Sequence, residues 1–95
     1  MMEIPETIGE AKVISYNIVF GHLSTGKTTH VVGNQIPDDF YGLAICKYPN
    51  DRGYYLFYCN GNWEAITDTW HETIEDAKDQ GEYEYFGIED NWVNP

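Results

Sequence analysis

Two aromatic runs meet at Asn60-Gly61, and this arrangement constrains the fold more than any other feature of the sequence. Tyr54–Cys59 precedes the pair and Trp63–Trp70 follows it. Asn-Gly is the strongest short-range signal for a turn between two antiparallel strands. The first run is apolar on both faces, which is typical of a strand in the middle of a sheet. The sequence therefore predicts a β-hairpin that contains a central strand.

Three further stretches are predicted to be strands because they are rich in β-branched and aromatic residues. They are Lys12–Phe20, Thr28–Val32 and Tyr41–Tyr48. Turn-forming residues follow the second and third stretches, at Gly33-Asn34 and Pro49–Gly53. Five strands in succession favour a meandering antiparallel sheet.

After the last strand the pattern changes to a helical period. Thr73 with Asp76 three residues later is a variant of the helix capping box. The apolar side of the helix would consist of Ile74, Ala77, Gly81 and Tyr85. We therefore expect one helix over residues 73–86, with Gly87 available as its C-terminal cap. The alternative is a helix that stops at Gly81, followed by a strand over EYEYF.

The length of 95 residues suits one domain with a single core. Pro5 and Gly9 interrupt the first segment, so residues 1–9 are expected to form a flexible N-terminal arm. Residues 10–95 would form one α+β domain. Its sheet of about five strands would carry the C-terminal helix packed on one face.

The acidic residues are concentrated in the C-terminal third of the chain. Sixteen Asp and Glu against five Lys and Arg give a formal net charge of −11, of which residues 64–90 contribute −9. Such a field repels nucleic acids and anionic lipids and attracts cationic partners. We therefore expect a basic protein partner, no nucleic acid and no membrane. The alternative is that the acidic face serves only solubility.

The sequence gives no signal for export or membrane insertion. The segment MMEIPETIGEAK has neither the basic start nor the apolar centre of a signal peptide. No apolar run approaches the ~20 residues that a membrane-spanning helix needs. Cys46 and Cys59 are too few for a disulfide scaffold. We expect a cytoplasmic protein with both thiols reduced and buried on one sheet face, with a thiol pair as the alternative.

Residues 21–28, GHLSTGKT, match the pattern G-x-x-x-x-G-K-[ST] of phosphate-binding loops at every fixed position. Such a loop binds phosphate where a strand leads into a helix whose first N–H groups face the ligand. A strand is predicted upstream, but the β-branched stretch after Thr28 also favours a strand. We therefore predict a hairpin loop, and a nucleotide-binding site at Gly21–Thr28 is the alternative.

The remaining candidate chemistry lies in the histidines and cysteines. His22, His30 and His71 do not have the close pairwise spacing, with each other or with the cysteines, that is typical of structural zinc sites. Catalysis by Cys59 with His71 is disfavoured because an apolar strand disfavours a thiolate. His71 is expected at the corner between strand and helix. We predict no catalytic residues, no metal site and no cofactor, and therefore a non-enzymatic protein.

A Tyr/Phe-rich strand, a D-T-W-H-x-T/S-x-x-x-A corner and an acidic helix occupy the C-terminal half of the chain. The residues of this pattern are Tyr55–Tyr58, Asp68–His71, Thr73, Ala77 and Tyr85. In them the chain resembles a group of small acidic bacterial proteins, mostly uncharacterised. The resemblance implies one helix that continues through Gly81, and it implies no catalytic motif. In size and charge the chain is also similar to the immunity proteins of bacterial toxin systems.

We expect the acidic helix and its aromatic neighbours to bind a basic protein. The candidate contact residues are Glu72, Glu75, Asp79, Glu82, Tyr83 and Trp92. Acidic side chains would accelerate association, and aromatic side chains would supply binding energy. The concrete form of this hypothesis is an immunity-type inhibitor of a cationic toxin such as a nuclease. The alternatives are a nucleotide-binding protein and a self-associating structural domain that forms a homodimer.

Overall fold

The computed structural model describes residues 3–31 and 40–95. They form an antiparallel five-stranded sheet and one helix. The elements are β1 (Thr7–Ile8), β2 (Ala11–Ile18), β3 (Gly42–Lys47), β4 (Tyr54–Cys59), β5 (Ala65–His71) and α1 (Ile74–Glu84). The strands lie in the order β1-β2-β3-β4-β5, so each one pairs with its neighbours in sequence. The predicted α+β meander with a C-terminal helix is confirmed.

The predicted strand at Thr28–Val32 is wrong over its described part. Residues 28–31 form no strand, and Val32 lies outside the described residues. The reason is a side-chain contact: His30 Nε2 lies 2.6 Å from a carboxylate oxygen of Glu84, so the chain here follows the end of the helix. The fifth strand is β1 instead, within the segment expected to be an arm, where Ile8 pairs with Ala11.

The β4–β5 hairpin is confirmed, but its loop is longer than two residues. β4 ends at Cys59 and β5 begins at Ala65, two residues later than predicted. The turn closes with a bond of 3.0 Å from the Trp63 N–H to the Asn60 carbonyl oxygen. Trp63 adopts the left-handed conformation (φ 59°), and its indole is buried among apolar side chains. The buried indole therefore extends the loop.

Helix α1 begins after the predicted cap and passes through Gly81. The Thr73 hydroxyl oxygen accepts a bond of 3.0 Å from the Asp76 N–H. A Cβ added at Gly81 would lie 2.9 Å from Leu43 Cδ1, so glycine permits the close approach of the helix to β3. The helix ends at Glu84, two residues earlier than predicted.

Apolar side chains fill both faces of the sheet. The cluster under α1 contains Val19, Phe40, Leu43, Ile45, Leu56, Tyr58, Ala77, Tyr85 and Ile88. The cluster on the opposite face contains Ala11, Val13, Ala44, Cys46, Phe57, Cys59 and Trp63. β2 contributes Ala11 and Val13 to the second cluster, and Val19 of the first cluster directly follows this strand. The helix therefore covers one face of a sheet that is apolar on both.

The segment after α1 returns along β2 and completes the fold. Tyr16 and Val93 exchange two backbone hydrogen bonds, of 2.9 and 2.8 Å. The buried Asn17 amide donates a bond of 2.9 Å to the carbonyl oxygen of Ile88. These contacts fix the C-terminal residues beside the helix. Within the described part of the chain, no helix has the length and apolar character to cross a lipid bilayer.

Candidate functional site

The outward side of α1 is formed by carboxylates. Glu75, Asp79 and Glu82 recur at intervals of four and three residues and therefore lie on one side of the helix. Glu72 precedes the N-cap and is exposed, as are Glu75 and Asp79, whereas Glu82 is half-buried. We call Glu72, Glu75, Asp79 and Glu82 the acidic helix face.

The acidic helix face has no cationic partner within the described residues. The one close contact between a basic and an acidic side chain in residues 3–31 and 40–95 joins His30 to Glu84 on the inner side of the helix. Glu75 and Asp79 lie four residues apart, and like charges at this spacing cost about 0.2–0.5 kcal/mol. No carboxylate of this face makes an ion pair within the described residues, although Lys78 lies three residues after Glu75 and four residues before Glu82.

The two aromatic contact candidates differ in their surroundings. Trp92 is half-buried against the core cluster under α1, and its indole N–H donates a bond of 3.0 Å to a Glu82 carboxylate oxygen. Tyr83 is 49% exposed, and Lys27 Nζ lies 5.0 Å from the centre of its ring. Tyr83 therefore offers a surface next to the acidic helix face, whereas Trp92 fixes the position of Glu82.

The segment GHLSTGKT crosses the C-terminal end of α1 and does not form the predicted hairpin loop. Ser24 pairs with Tyr85 in an antiparallel bridge. Thr25 donates from its N–H to the Glu84 carbonyl oxygen (2.8 Å) and from its hydroxyl to the Tyr83 carbonyl oxygen (2.7 Å). Thr25 thus satisfies carbonyl groups that a helix end leaves without intrahelical partners. The predicted cap, Gly87, lies beyond the helix with φ 79°.

Several N–H groups of this segment donate to acceptors within the protein. The Gly26 N–H donates to the Ser24 hydroxyl oxygen (3.2 Å), and the Lys27 N–H donates to the Thr25 hydroxyl oxygen (3.3 Å). Residues 28–31 form no helix. A phosphate-binding loop instead directs its N–H groups at the ligand and continues into a helix. The described geometry of GHLSTGKT therefore differs from that arrangement.

Two exposed apolar side chains lie where this segment meets the helix end. Leu23 is 76% exposed and Phe86 is 58% exposed. The Phe86 N–H donates a bond of 3.0 Å to the Leu23 carbonyl oxygen, which places the two residues opposite each other beside the bridge. Opposite residues of an antiparallel pair project to the same side. We call Leu23 and Phe86 the apolar patch.

A buried hydrogen-bond network fixes the same helix end from inside. Glu84 is 4% exposed. Its carboxylate accepts bonds from the Tyr58 hydroxyl, from Gln80 Nε2 at 3.0 Å and from His30 Nε2 at 2.6 Å. Burial, and then the neighbouring Glu84 carboxylate, raise the pKa of Tyr58 far above its ordinary value. The Tyr58 hydroxyl is thereby kept as a donor, and three donors satisfy the buried carboxylate.

The two cysteines and His71 are the remaining side chains that the sequence suggests for catalysis or metal binding. Cys46 and Cys59 are on the same sheet face, as predicted, and both thiols are free. Cys59 is opposite Gly42, four residues along β3 from Cys46. Burial raises the pKa of each thiol to about 12. His71 ends β5 before the helix, as predicted, with Nε2 at 2.7 Å from the Thr69 hydroxyl oxygen.

Burial lowers the pKa of His71, although Asp76 and Glu84 act in the opposite direction. Among residues 3–31 and 40–95, no three His, Cys, Asp or Glu side chains are grouped so that they could hold a metal ion. His22, for example, lies at the carbonyl oxygen of Phe86, with Nδ1 at 2.8 Å. The described histidines thus contact the helix end or the β5 corner.

Comparisons with family models, with curated protein sequences and with solved structures found no match to this chain. The resemblance to small acidic bacterial proteins therefore stays a prediction.

Sequence reasoning missed the residues that join GHLSTGKT to the helix. Glu84 follows Ala77 and Gly81 at helical spacing, so the period of the pattern already places it on the buried side. Leu23 and Phe86 are single apolar residues in polar surroundings, and the sequence has no periodic signal at such positions. Their proximity depends on a bridge between segments about sixty residues apart.

Proposed function

We propose that the protein is a non-enzymatic binding domain for a basic protein partner, and that the acidic helix face is its contact surface. The observation that supports the proposal most directly is the set of outward carboxylates that make no ion pair within the described residues. Like charges four residues apart on a helix, such as Glu75 and Asp79, destabilise the fold. The fold therefore gains no stability from this pair. A cationic partner would compensate these charges.

The concrete form is an immunity-type inhibitor that covers a cationic toxin such as a nuclease. A small protein with a net charge of −11 would be attracted to a basic surface over several ångströms of solvent. Carboxylates at the contact would raise the association rate, and the exposed Tyr83 ring would add apolar contact area. This form is cytoplasmic and needs neither a cofactor nor a metal.

The test is capture of partners from a native lysate by three matched forms of the protein. One is the natural chain, the second is Glu75→Lys with Asp79→Lys, and the third is Glu3→Lys with Glu6→Lys. Both variants change the net charge equally, but Glu3 and Glu6 are exposed residues of the N-terminal segment. We expect a basic protein to be retained by the natural chain and by the third form, and to be lost from the second.

Retention should weaken as salt is raised, because ions screen exposed charges beyond a Debye length of about 8 Å at physiological ionic strength. For the immunity form, the captured protein should arrest growth when it is expressed alone, and co-expression with the natural chain should restore growth. Equal capture by all three forms, or no capture at low salt, would contradict the proposed function.

A further inference from the structure

The apolar patch and Tyr83 lie beside the acidic helix face, and the contacts that hold them are already made in the free protein. Thr25 binds the carbonyl oxygens of Tyr83 and Glu84, and Phe86 binds that of Leu23. His30 and Gln80 hold the Glu84 side chain beneath them. A surface that is fixed before binding loses less conformational freedom when a partner arrives. Leu23, Tyr83 and Phe86 are therefore presented in a defined geometry.

The Tyr83 ring already holds a cation. Lys27 Nζ lies 5.0 Å from the ring centre, a distance at which an ammonium is attracted to the aromatic face. Within the described residues, Lys27 makes no ion pair with a carboxylate, and its side chain is exposed. A cation from a partner could occupy the same place. Asp79 lies one helical turn before Tyr83.

Charge decides which kind of molecule covers this surface. A second copy of the chain, placed patch against patch, would bring two acidic helix faces together, each on a protein of net charge −11. Juxtaposed like charges oppose such an interface. A cationic segment with an apolar side chain would instead meet complementary groups at every position: carboxylates along the helix, an aromatic ring at its end and the apolar patch beyond it.

We infer that the partner binds through a basic segment with an apolar anchor, which contacts Leu23 and Phe86 while an adjacent lysine or arginine replaces Lys27 on the Tyr83 ring. This inference rests on the proposed function and specifies the chemistry of the partner. It also assigns a role to Lys27 that differs from its role in a phosphate-binding loop. Lys27 occupies the partner's cation position in the free protein.

The test uses synthetic peptides of defined composition. The first carries one tryptophan among arginines, the second has glycine in place of the tryptophan, and the third has citrulline in place of the arginines. Binding is measured by calorimetry, and its location by amide chemical-shift changes in the isotope-labelled protein. We expect the first peptide to bind most tightly, with the largest shifts at Leu23, Tyr83 and Phe86.

Three variants separate the parts of the inference. Leu23→Ser with Phe86→Ser should weaken binding of the tryptophan peptide by roughly tenfold, the scale of a lost anchor, and leave the glycine peptide unchanged. Phe20→Ser is the matched control, because Phe20 is also exposed but its ring lies beside Tyr41. Lys27→Ala should strengthen binding of both arginine peptides. At a nucleotide site the same change would abolish the shift in melting temperature caused by ATP or GTP with magnesium.

The outcomes distinguish this inference from the proposed function. Suppose that Glu75→Lys with Asp79→Lys abolishes peptide binding, whereas Leu23→Ser with Phe86→Ser (the patch variant) leaves it unchanged. The inference is then wrong, although the acidic helix face does bind the peptide. If the tryptophan peptide does not bind, or if its shifts map elsewhere, the inference is also wrong, and the lysate experiment decides the proposed function separately. Sedimentation of the natural chain as a dimer that the patch variant dissociates would assign the patch to a second copy and overturn the inference.

Discussion

At the scale of single residues, Glu84 and Asp79 belong to the same helix and differ in what surrounds them. Glu84 is buried and accepts hydrogen bonds from Tyr58, His30 and Gln80. Asp79 is exposed and has no ion pair among the described residues. Replacing a buried carboxylate leaves its hydrogen-bond donors without an acceptor, which destabilises the fold. An exposed carboxylate can be replaced without such a penalty because water takes its place. The fold therefore depends more on Glu84 than on Asp79.

The two buried thiols predict a loss of stability in alkali. Burial raises the pKa of Cys46 and Cys59 from 9.0 to about 12. Because the folded pKa is the higher one, the stabilisation is complete below pH 9 and is lost as the pH rises towards 12. Above pH 9 each thiol should lower the free energy of unfolding by up to about 1.4 kcal/mol per pH unit.

The measurement is urea unfolding under a reducing agent at several pH values between about 8 and 9.5, below the ordinary pKa of tyrosine at about 10 and of lysine at about 10.4. Cys59→Ala should unfold more easily at pH 8, because a buried side chain is shortened, but its stability should fall less steeply with pH. Parallel curves for the natural chain and Cys59→Ala would show that the thiol is not the group that titrates.

At the scale of elements, local patterns were sufficient for most of the sheet and for the helix. β4 has the predicted bounds, and α1 begins directly after the predicted cap Thr73, because turn residues and side-chain period act over a few neighbouring positions. Residues 21–31 were predicted incorrectly because their partners are distant. The hydrogen bond between His30 and Glu84 joins residues that are 54 positions apart in the sequence. The one between Thr25 and Tyr83 joins residues that are 58 positions apart.

The same limit applies to the candidate site. The acidic helix face could be predicted because its carboxylates recur along one helix. The contribution of Leu23 could not be predicted, since it depends on the connection that crosses the helix end. The sequence predicts Trp92 as a contact residue, and its packing against the core comes from the returning C-terminal segment.

The repulsion along the helix predicts that one charge reversal will stabilise the fold. Asp79→Lys would replace the like-charge pair with Glu75 by an attractive pair in the favourable order along the helix. The free energy of unfolding should rise by about 0.5–1 kcal/mol, measured by urea unfolding followed by circular dichroism.

Asp79→Asn is the matched control, because it removes the repulsion without adding attraction. It should give about half of the stabilisation. If the proposed function is correct, Asp79→Lys should also weaken binding of the basic partner. A reversal that lowers stability would mean that Asp79 makes a favourable contact within the fold.

At the scale of the whole molecule, the net charge should make both stability and binding depend on salt. Added salt should raise the free energy of unfolding and weaken binding of the basic partner. A net charge of −11 on 95 residues opposes the compact state through self-repulsion. The Debye length falls from about 10 Å at 0.1 M salt to about 3 Å at 1 M, so added sodium chloride screens this repulsion. The free energy of unfolding should therefore rise with sodium chloride, by on the order of 1 kcal/mol over this range.

Urea is the suitable denaturant for this last measurement, because guanidinium chloride is itself a salt and would screen the charges. Glu75→Gln with Asp79→Asn keeps the buried core and removes two exposed charges, so its stability should depend less on salt. This variant separates charge screening from the general effect of salt on apolar burial. The same salt series should weaken capture of the basic partner, since screening acts equally on attraction and repulsion. Stability that falls with salt, or an equal slope in the variant, would show that repulsion on the acidic helix face does not limit the fold.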